Sequence, residues 1–155
     1  MELNQGGFAL KTMRTILTQK GHTVWTISPE ATVLEALKKM ADKNVGALLV
    51  MDENDEHLYG IISERDVARK LDIQGRRAAD TKVKEIMTHE IVALEPQHTA
   101  EEAMAVMIDK HIRHLPVIEN DKLMGLISIG DVVKAVIKDQ KFTIDQLVKY
   151  IVGEY

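Results

Sequence analysis

The chain contains no cysteine. That excludes a disulfide framework, a thiolate zinc site and a cysteine nucleophile together, and it fits a reducing compartment. Aromatic residues are only 4% of the chain, too few for the stacking platforms that hold unpaired bases. Basic charge is not in excess either. Lys and Arg number 20 against 24 Asp and Glu, a formal net charge of −4, whereas nucleic-acid binding normally needs a basic footprint. No apolar run approaches the roughly 18 residues of a membrane span. Residues 1–10 lack the charged-then-apolar pattern of a secretory leader. The expectation is a cytoplasmic protein with neither nucleic acid nor membrane as partner, and with residues 1–11, which carry Gly6-Gly7, as a flexible lead-in. What is present is globular: 45% hydrophobic and 28% charged over 155 residues. A chain of that length buries roughly 68–70% of its unfolded surface and needs no metal or disulfide to hold a core.

The chain repeats itself, and such repetition decides architecture before anything else. Gly60-Ile61-Ile62-Ser63-Glu64-Arg65-Asp66-Val67 returns as Gly125-Leu126-Ile127-Ser128-Ile129-Gly130-Asp131-Val132 at an offset of 65. Upstream, Thr32-Val33-Leu34-Glu35-Ala36-Leu37 returns as Thr99-Ala100-Glu101-Glu102-Ala103-Met104 at an offset of 67. The hairpin loop is two residues longer in the first copy. Met13-Arg14-Thr15-Ile16-Leu17 matches Val83-Lys84-Glu85-Ile86-Met87. Two copies at this period form an intramolecular pair, not a solenoid.

Each copy reads in the same order. A short leading helix or turn (12–20; 82–88) precedes a strand (23–27; 91–94), and Pro29 and Pro96 mark turns. Thr32-x-x-Glu35 and Thr99-x-x-Glu102 are capping boxes that start a helix. In the first copy its apolar positions are Val33, Leu37, Met40 and Ala41. Two hairpin strands follow (47–51 with 58–62; 115–118 with 123–127), their turns at Asp52-Glu53-Asn54-Asp55 and Glu119-Asn120-Asp121. A last helix begins near Glu64 or Ile129. The fold class is α/β of the α+β type: two β-α-β-β-α repeats related by a pseudo-twofold into a disc, each covering the sheet face that the other leaves open. The divisions are 12–75 and 82–138 for the repeats, 76–81 for a linker, and 139–155 for a C-terminal helix. That helix starts at the capping signature Thr143-x-x-Gln146 and carries the stripe Ile144, Leu147, Val148 and Ile151. The stripe reads as packing on its own core or as a subunit or partner contact.

Gly-x-x-Ser-x-x-Asp lies where a strand ends and a helix begins. Taken alone it is an N-cap, with Ser accepting from helix amides and Asp favoured by the dipole. A helix N-terminus also attracts anions, and an adjacent carboxylate can grip the two hydroxyls of a ribose. The motif occurs twice at corresponding junctions, which gives the second reading weight.

With the Leu115-Pro116-Val117 strand, these motifs resemble the CBS domain, named after cystathionine β-synthase. Over about residues 12–137 the chain is similar to a stand-alone tandem pair, or Bateman module, such as small bacterial two-repeat signalling proteins. The resemblance implies a non-enzymatic energy-sensing or signalling module, often a homodimer, that binds AMP, ADP, ATP, NAD or S-adenosylmethionine between its repeats. It implies that Asp66 and Asp131 hold ribose hydroxyls, with Ser63 and Ser128 beside ribose and phosphate. It implies an adenine sandwiched by Thr26 with Val45-Gly46-Ala47 in one site, and by Ala93 with Ile112-Arg113-His114 in the other. In the family's crosswise arrangement Asp131 joins the first group and Asp66 the second.

The copies diverge around these positions. Arg113-His114-Leu115-Pro116 stands where the first copy has Gly46-Ala47-Leu48-Leu49, and Arg65 and Arg69 face Gly130 and Lys134. Arg65 and Arg69 share a helix face. Asp66, Arg65 and Arg113 together would hold ribose and phosphate by charge-assisted forks, so two unequal sites are expected, the tighter at Asp66. Arg76-Arg77 reads as a solvated linker pair or a phosphate clamp. His111-x-x-His114 lacks a third ligand and gives no metal site. No hydrolase elbow, phosphate loop or His-Glu-x-x-His motif is present, so no enzyme is expected. The alternative is a ligand-independent dimerisation module that regulates a partner enzyme through its C-terminal helix.

Overall fold

Thr32 and Thr99 each cap a helix as their spacing predicts. Their side chains accept from the Glu35 and Glu102 amides, and the two glutamates reach back to the cap amides. The computed structural model describes residues 11–52, 54 and 57–152. Most of the expected lead-in, Glu53 and Asp55 of the first hairpin turn, and residues 153–155 lie outside the described residues. The chain divides into two compact units, Thr23–Ile91 and Met1–His22 combined with Val92–Tyr155.

In the contiguous unit, β1 (Thr26–Ile27) pairs in parallel with β2 (Ala47–Met51), and β2 pairs antiparallel with β3 (Leu58–Ser63). Between β1 and β2 runs α2 (Val33–Lys43), which stops where Asn44 turns left-handed at φ 54°. Its buried residues are Val33, Ala36 and Met40. Leu37 is half-buried and Ala41 exposed, so Ala36 takes the core position that the sequence pattern assigned to Ala41. After β3 a helix starts as α3 (Glu64–Asp66) and continues as a wider π-wound turn over Val67–Asp72. The core joins Val33, Met40, Leu48, Val50 and Ile62 to Val67 and Leu71.

The discontinuous unit repeats this plan with α5 (Ala100–Lys110), β4 (His114–Glu119), β5 (Lys122–Ser128) and α6 (Ile129–Val152). Asn120 and Asp121, at φ 52° and 62°, make a tight two-residue turn between β4 and β5. Both hairpins slip register at equivalent points, Val50/Met51 and Val117/Ile118. The expected strand at 91–94 is reduced to one bridge, Leu94 with Val117. The cause is Pro116. In the first copy the amide of Leu49 donates to Trp25 O. Pro116 stands at the matching position and has no N–H, so only the bonds Leu94 N to Pro116 O and Ile118 N to Leu94 O remain.

The last helix also differs from expectation. α6 is unbroken from Ile129 to Val152, so no helix starts at Thr143. The Thr143 hydroxyl donates instead to the Asp139 carbonyl one turn back, which is how a threonine within a helix satisfies itself.

The leading helices cross over. α1 (Met13–Lys20) places Met13, Ile16 and Leu17 in the core built by the second repeat's strands. α4 (Val83–Ile86) and the adjoining Met87 fill the matching place in the core built by the first repeat's strands. The docking bonds are paired in kind: Met13 N to His98 O and Ala100 N to Lys11 O, against Val83 N to Ala31 O and Val33 N to Thr81 O. The compact units therefore cut across the sequence repeats by one helix each.

The signature glycines sit under these helices. A Cβ on Gly60 would lie 2.5 Å from the Thr88 carbonyl oxygen, and one on Gly125 would lie 2.6 Å from Leu17 Cδ2. Backbone cannot yield as a leucine methyl can. Gly60→Ala should therefore cost about 2–3 kcal/mol and Gly125→Ala about 1 kcal/mol, read from urea denaturation midpoints. An equal or smaller loss at Gly60 would contradict this account.

Candidate functional site

Each unit carries one acidic side chain at a strand-to-helix junction, built by local bonds. In the contiguous unit Ser63 caps the helix, and its hydroxyl accepts from the Asp66 amide at 3.3 Å. Asp66 Oδ2 accepts from the Ser63 amide at 3.0 Å and from its hydroxyl at 3.1 Å. Oδ1 accepts from the Thr88 hydroxyl at 3.0 Å and meets Lys70 Nζ at 3.3 Å. Lys70 also donates to Ile86 O. The Asp66 side chain is 13% exposed, and both of its oxygens are occupied.

In the discontinuous unit the clasp is the same. Asp131 Oδ2 accepts from the Ser128 amide at 2.8 Å and from its hydroxyl at 3.0 Å. The cation differs. Lys20, at the end of α1, donates to Oδ2 at 2.6 Å and to Leu126 O at 2.8 Å. Oδ1 has no partner among the described residues, and the side chain is 21% exposed. Burial alone would raise the Asp131 pKa, but the bonds from Lys20 and Ser128 outweigh it and hold the carboxyl below its usual value.

The segments entering the strands are tied to these helix starts in the same way. Glu64 N donates to Gly46 O in one unit, and Ile129 N donates to Arg113 O in the other. Thr26, Val45, Gly46, Ala47, Ser63, Arg65, Asp66 and Arg69 therefore share the contiguous unit, and Ala93, Ile112, Arg113, His114, Pro116, Ser128 and Asp131 share the other. The expected cluster of Asp66, Arg65 and Arg113 spans both. Arg69 and Arg113 are exposed, and Ala47 and Pro116 are buried. Of the linker arginines, Arg76 pairs with Glu85 and Arg77 with Asp80. His111 ends α5 in the left-handed conformation.

Three residues at the clasps escaped the sequence reading. Lys70 was within reach of it, being four residues beyond Asp66 on one helix. Thr88 ends the leading segment of the second repeat, and its repeat-equivalent Thr18 bonds Arg14 O instead. Lys20 lies 111 residues from Asp131, and no local pattern links them. His114 is half-buried beside this clasp. Burial first, and then the charges of Lys20 and Arg113, push its pKa below 6.5 against the opposing pull of Asp131.

Fold and clasps together define a duplicated strand-and-helix module with one acidic helix start per copy. The chain belongs to the CBS domain family, whose pattern matches residues 20–73 and 83–138. It is similar to the CBS domain-containing protein CBSX3, mitochondrial, of Arabidopsis thaliana, with 38% identity across 99% of this chain and 78% of that protein. Among solved structures, the CBS-domain protein NE2398 has 46% identity and a TM-score of 0.78, covering 83% of this chain and 99% of its own. The CBS pair of MJ0100, solved with 5′-methylthioadenosine and S-adenosyl-L-methionine, shares the fold at a TM-score of 0.72 and 20% identity, over 84% of this chain and 99% of its own. CBS-domain proteins are generally regulatory rather than catalytic. Among the described residues no helix is long and apolar enough to cross a membrane.

The His114 imidazole should titrate below pH 6.5 by NMR, and Lys20→Met should move its midpoint upward by removing a cation and freeing the Asp131 charge. Because the unfolded chain takes up this proton first, stability should fall as pH drops from 6.5 through the folded-state midpoint. A midpoint at or above 6.5 in the native protein would refute the electrostatic account.

Proposed function

We propose that the chain is a non-enzymatic regulatory module of the cytoplasm. It binds an adenine-containing nucleotide (AMP, ADP, ATP or NAD) and signals the bound state by a change of conformation or of assembly as a homodimer. The ribose hydroxyls donate to the carboxylates of Asp66 and Asp131. Thr26 with Val45-Gly46-Ala47, and Ala93 with Ile112-Arg113-His114, flank the adenine.

The observation that carries this reading is the duplicated clasp. At both junctions a serine amide and hydroxyl hold one carboxylate oxygen at 2.8–3.1 Å, fixing the acid at a helix start. A fixed acid binds a vicinal diol without first losing side-chain entropy, and bonds to a charged acceptor contribute about 1.5–3 kcal/mol each. The adenosyl compounds in the MJ0100 complex support the ligand class.

Of the two acids, Asp131 is the readier. Its Oδ1 can accept a hydroxyl while Lys20 stays on Oδ2, whereas at Asp66 a diol must displace Thr88 or Lys70. This ranking reverses the one suggested by counting arginines around Asp66. A ligand shifts a conformational equilibrium only by its differential affinity for the two states, so occupancy at Asp131 is the natural input.

A thermal-shift panel of AMP, ADP, ATP, NAD and S-adenosylmethionine tests the reading. Saturation to 100 Kd adds about 2.7 kcal/mol, which raises Tm by roughly 5–10 °C in a chain of this size. Asp131→Asn should abolish most of that shift, and Asp66→Asn should reduce it less. No shift with any of the five compounds would overturn the proposal.

A further inference from the structure

The first half of α6 is fixed by packing in the core of its own unit, and the second half is exposed. Val132 and Ala135 are buried in the core of their unit. From Lys141 to Lys149 every residue is exposed. The apolar residues of this arm are not scattered. Val133, Ile137, Ile144, Leu147 and Ile151, all exposed, fall with Gln140 at alternating steps of four and three. That is a coiled-coil seam with Ile137, Ile144 and Ile151 at the a positions and Val133, Gln140 and Leu147 at the d positions. At about 100° per residue the seam lies roughly a quarter turn from the buried face of the same helix.

We infer that a second copy of this chain covers the seam, the two α6 helices running parallel as a two-stranded coiled coil. The inference deepens the homodimer part of the proposed function and rests on it, but it does not depend on the nucleotide. Three features select the occupant. Ile at all three a positions, with Leu147 at a d position, favours two parallel strands. Gln140, the one polar seam residue, meets its own copy only in a parallel, in-register pair, where each amide donates to the other. The flanking e positions hold Lys134, Lys141 and Val148. An antiparallel pair sets e positions against e positions, so lysine would meet lysine, whereas a parallel pair sets Lys141 against Val136, the g residue five positions earlier on the partner helix, along which its stem can pack.

The exposed area fits the same occupant. The seam, with Val148 beside it, shows on the order of 600 Å² of apolar surface, at the limit of patches left open on monomers and near the roughly 800 Å² that each partner gives a standard interface. The family match ends at residue 138, so the arm lies beyond the shared domain pair. A helical arm this short is marginal in water without a packed face.

Light scattering on the full chain provides the test. The expected mass is twice the 17.4 kDa of one chain. The double substitution Ile144→Asp with Leu147→Asp should weaken the dimer by at least ~100-fold, as loss of central hot spots does. Circular dichroism and the thermal-shift panel will show that both units remain folded. Because the chain has no cysteine, Ile151→Cys carries the only thiol, and mild oxidation should link two chains covalently through it. A dimer that survives the double substitution overturns this interface and leaves the homodimer reading standing. A monomeric native chain at micromolar concentration overturns both. A dimer in which Ile151→Cys does not crosslink overturns the parallel arrangement.

Discussion

The exchange of leading helices is the constraint on which the rest of this structure depends. Neither sheet is closed by its own repeat. Met13, Ile16 and Leu17 come to the second repeat's core from the start of the chain, and Val83, Ile86 and Met87 come to the first repeat's core from beyond its end. Both arrivals require a close approach over a β-strand, which is why the signature begins with glycine at 60 and 125. The contacts are backbone as well as apolar, since the caps of α2 and α5 accept and return main-chain bonds from the arriving segments. Each unit is incomplete without its visiting helix, because removing that helix would expose three core side chains, each contributing about 1.5–3 kcal/mol by burial.

The same exchange sets the electrostatics of the two acids. A partly buried carboxylate needs donors or a cation to stay ionised. At Asp66 the arriving segment supplies the Thr88 hydroxyl, and the acid's own helix supplies Lys70. At Asp131 the arriving helix supplies the cation itself, Lys20. Exposure of both pairs to solvent limits what each adds to stability. They do determine which carboxylate oxygen keeps room for a further donor among the described residues.

Much of this was legible in the sequence because it is local. The capping boxes at Thr32 and Thr99 and the Ser-x-x-Asp junctions are written within four residues, the hairpins join neighbouring strands, and duplication let each copy check the other. What escaped was of two kinds. Some features depend on contacts distant in sequence, such as Lys20 at Asp131 and the docking of α1 and α4 on strands of the other repeat. Others are local signals that context overrode. Thr143-x-x-Gln146 has the spacing of a cap, but α6 already runs through it, and the hydroxyl turns back to Asp139. Pro116, read as part of a family signature, also removes a donor and so shortens the neighbouring strand to a bridge.

The difference between the copies follows from one substitution pair. Lys70 and Ala135 occupy equivalent positions, four residues after each acid. In the first copy the helix there is π-wound over Val67–Asp72, and its lysine reaches back to Asp66. In the second copy α6 is regular, and Ala135 is buried against the core. A lysine at 135 would have to leave that core, so the second acid has no counterpart to the cation that Lys70 supplies four residues after the first. It draws its cation from Lys20, the last residue of the helix that the exchange delivers to the same place. Core packing at one position thus moves the charge to a different segment of chain. Among the described residues this leaves Oδ1 of Asp131 without a partner where both oxygens of Asp66 are bonded, so two copies of one scaffold carry two chemically distinct acids.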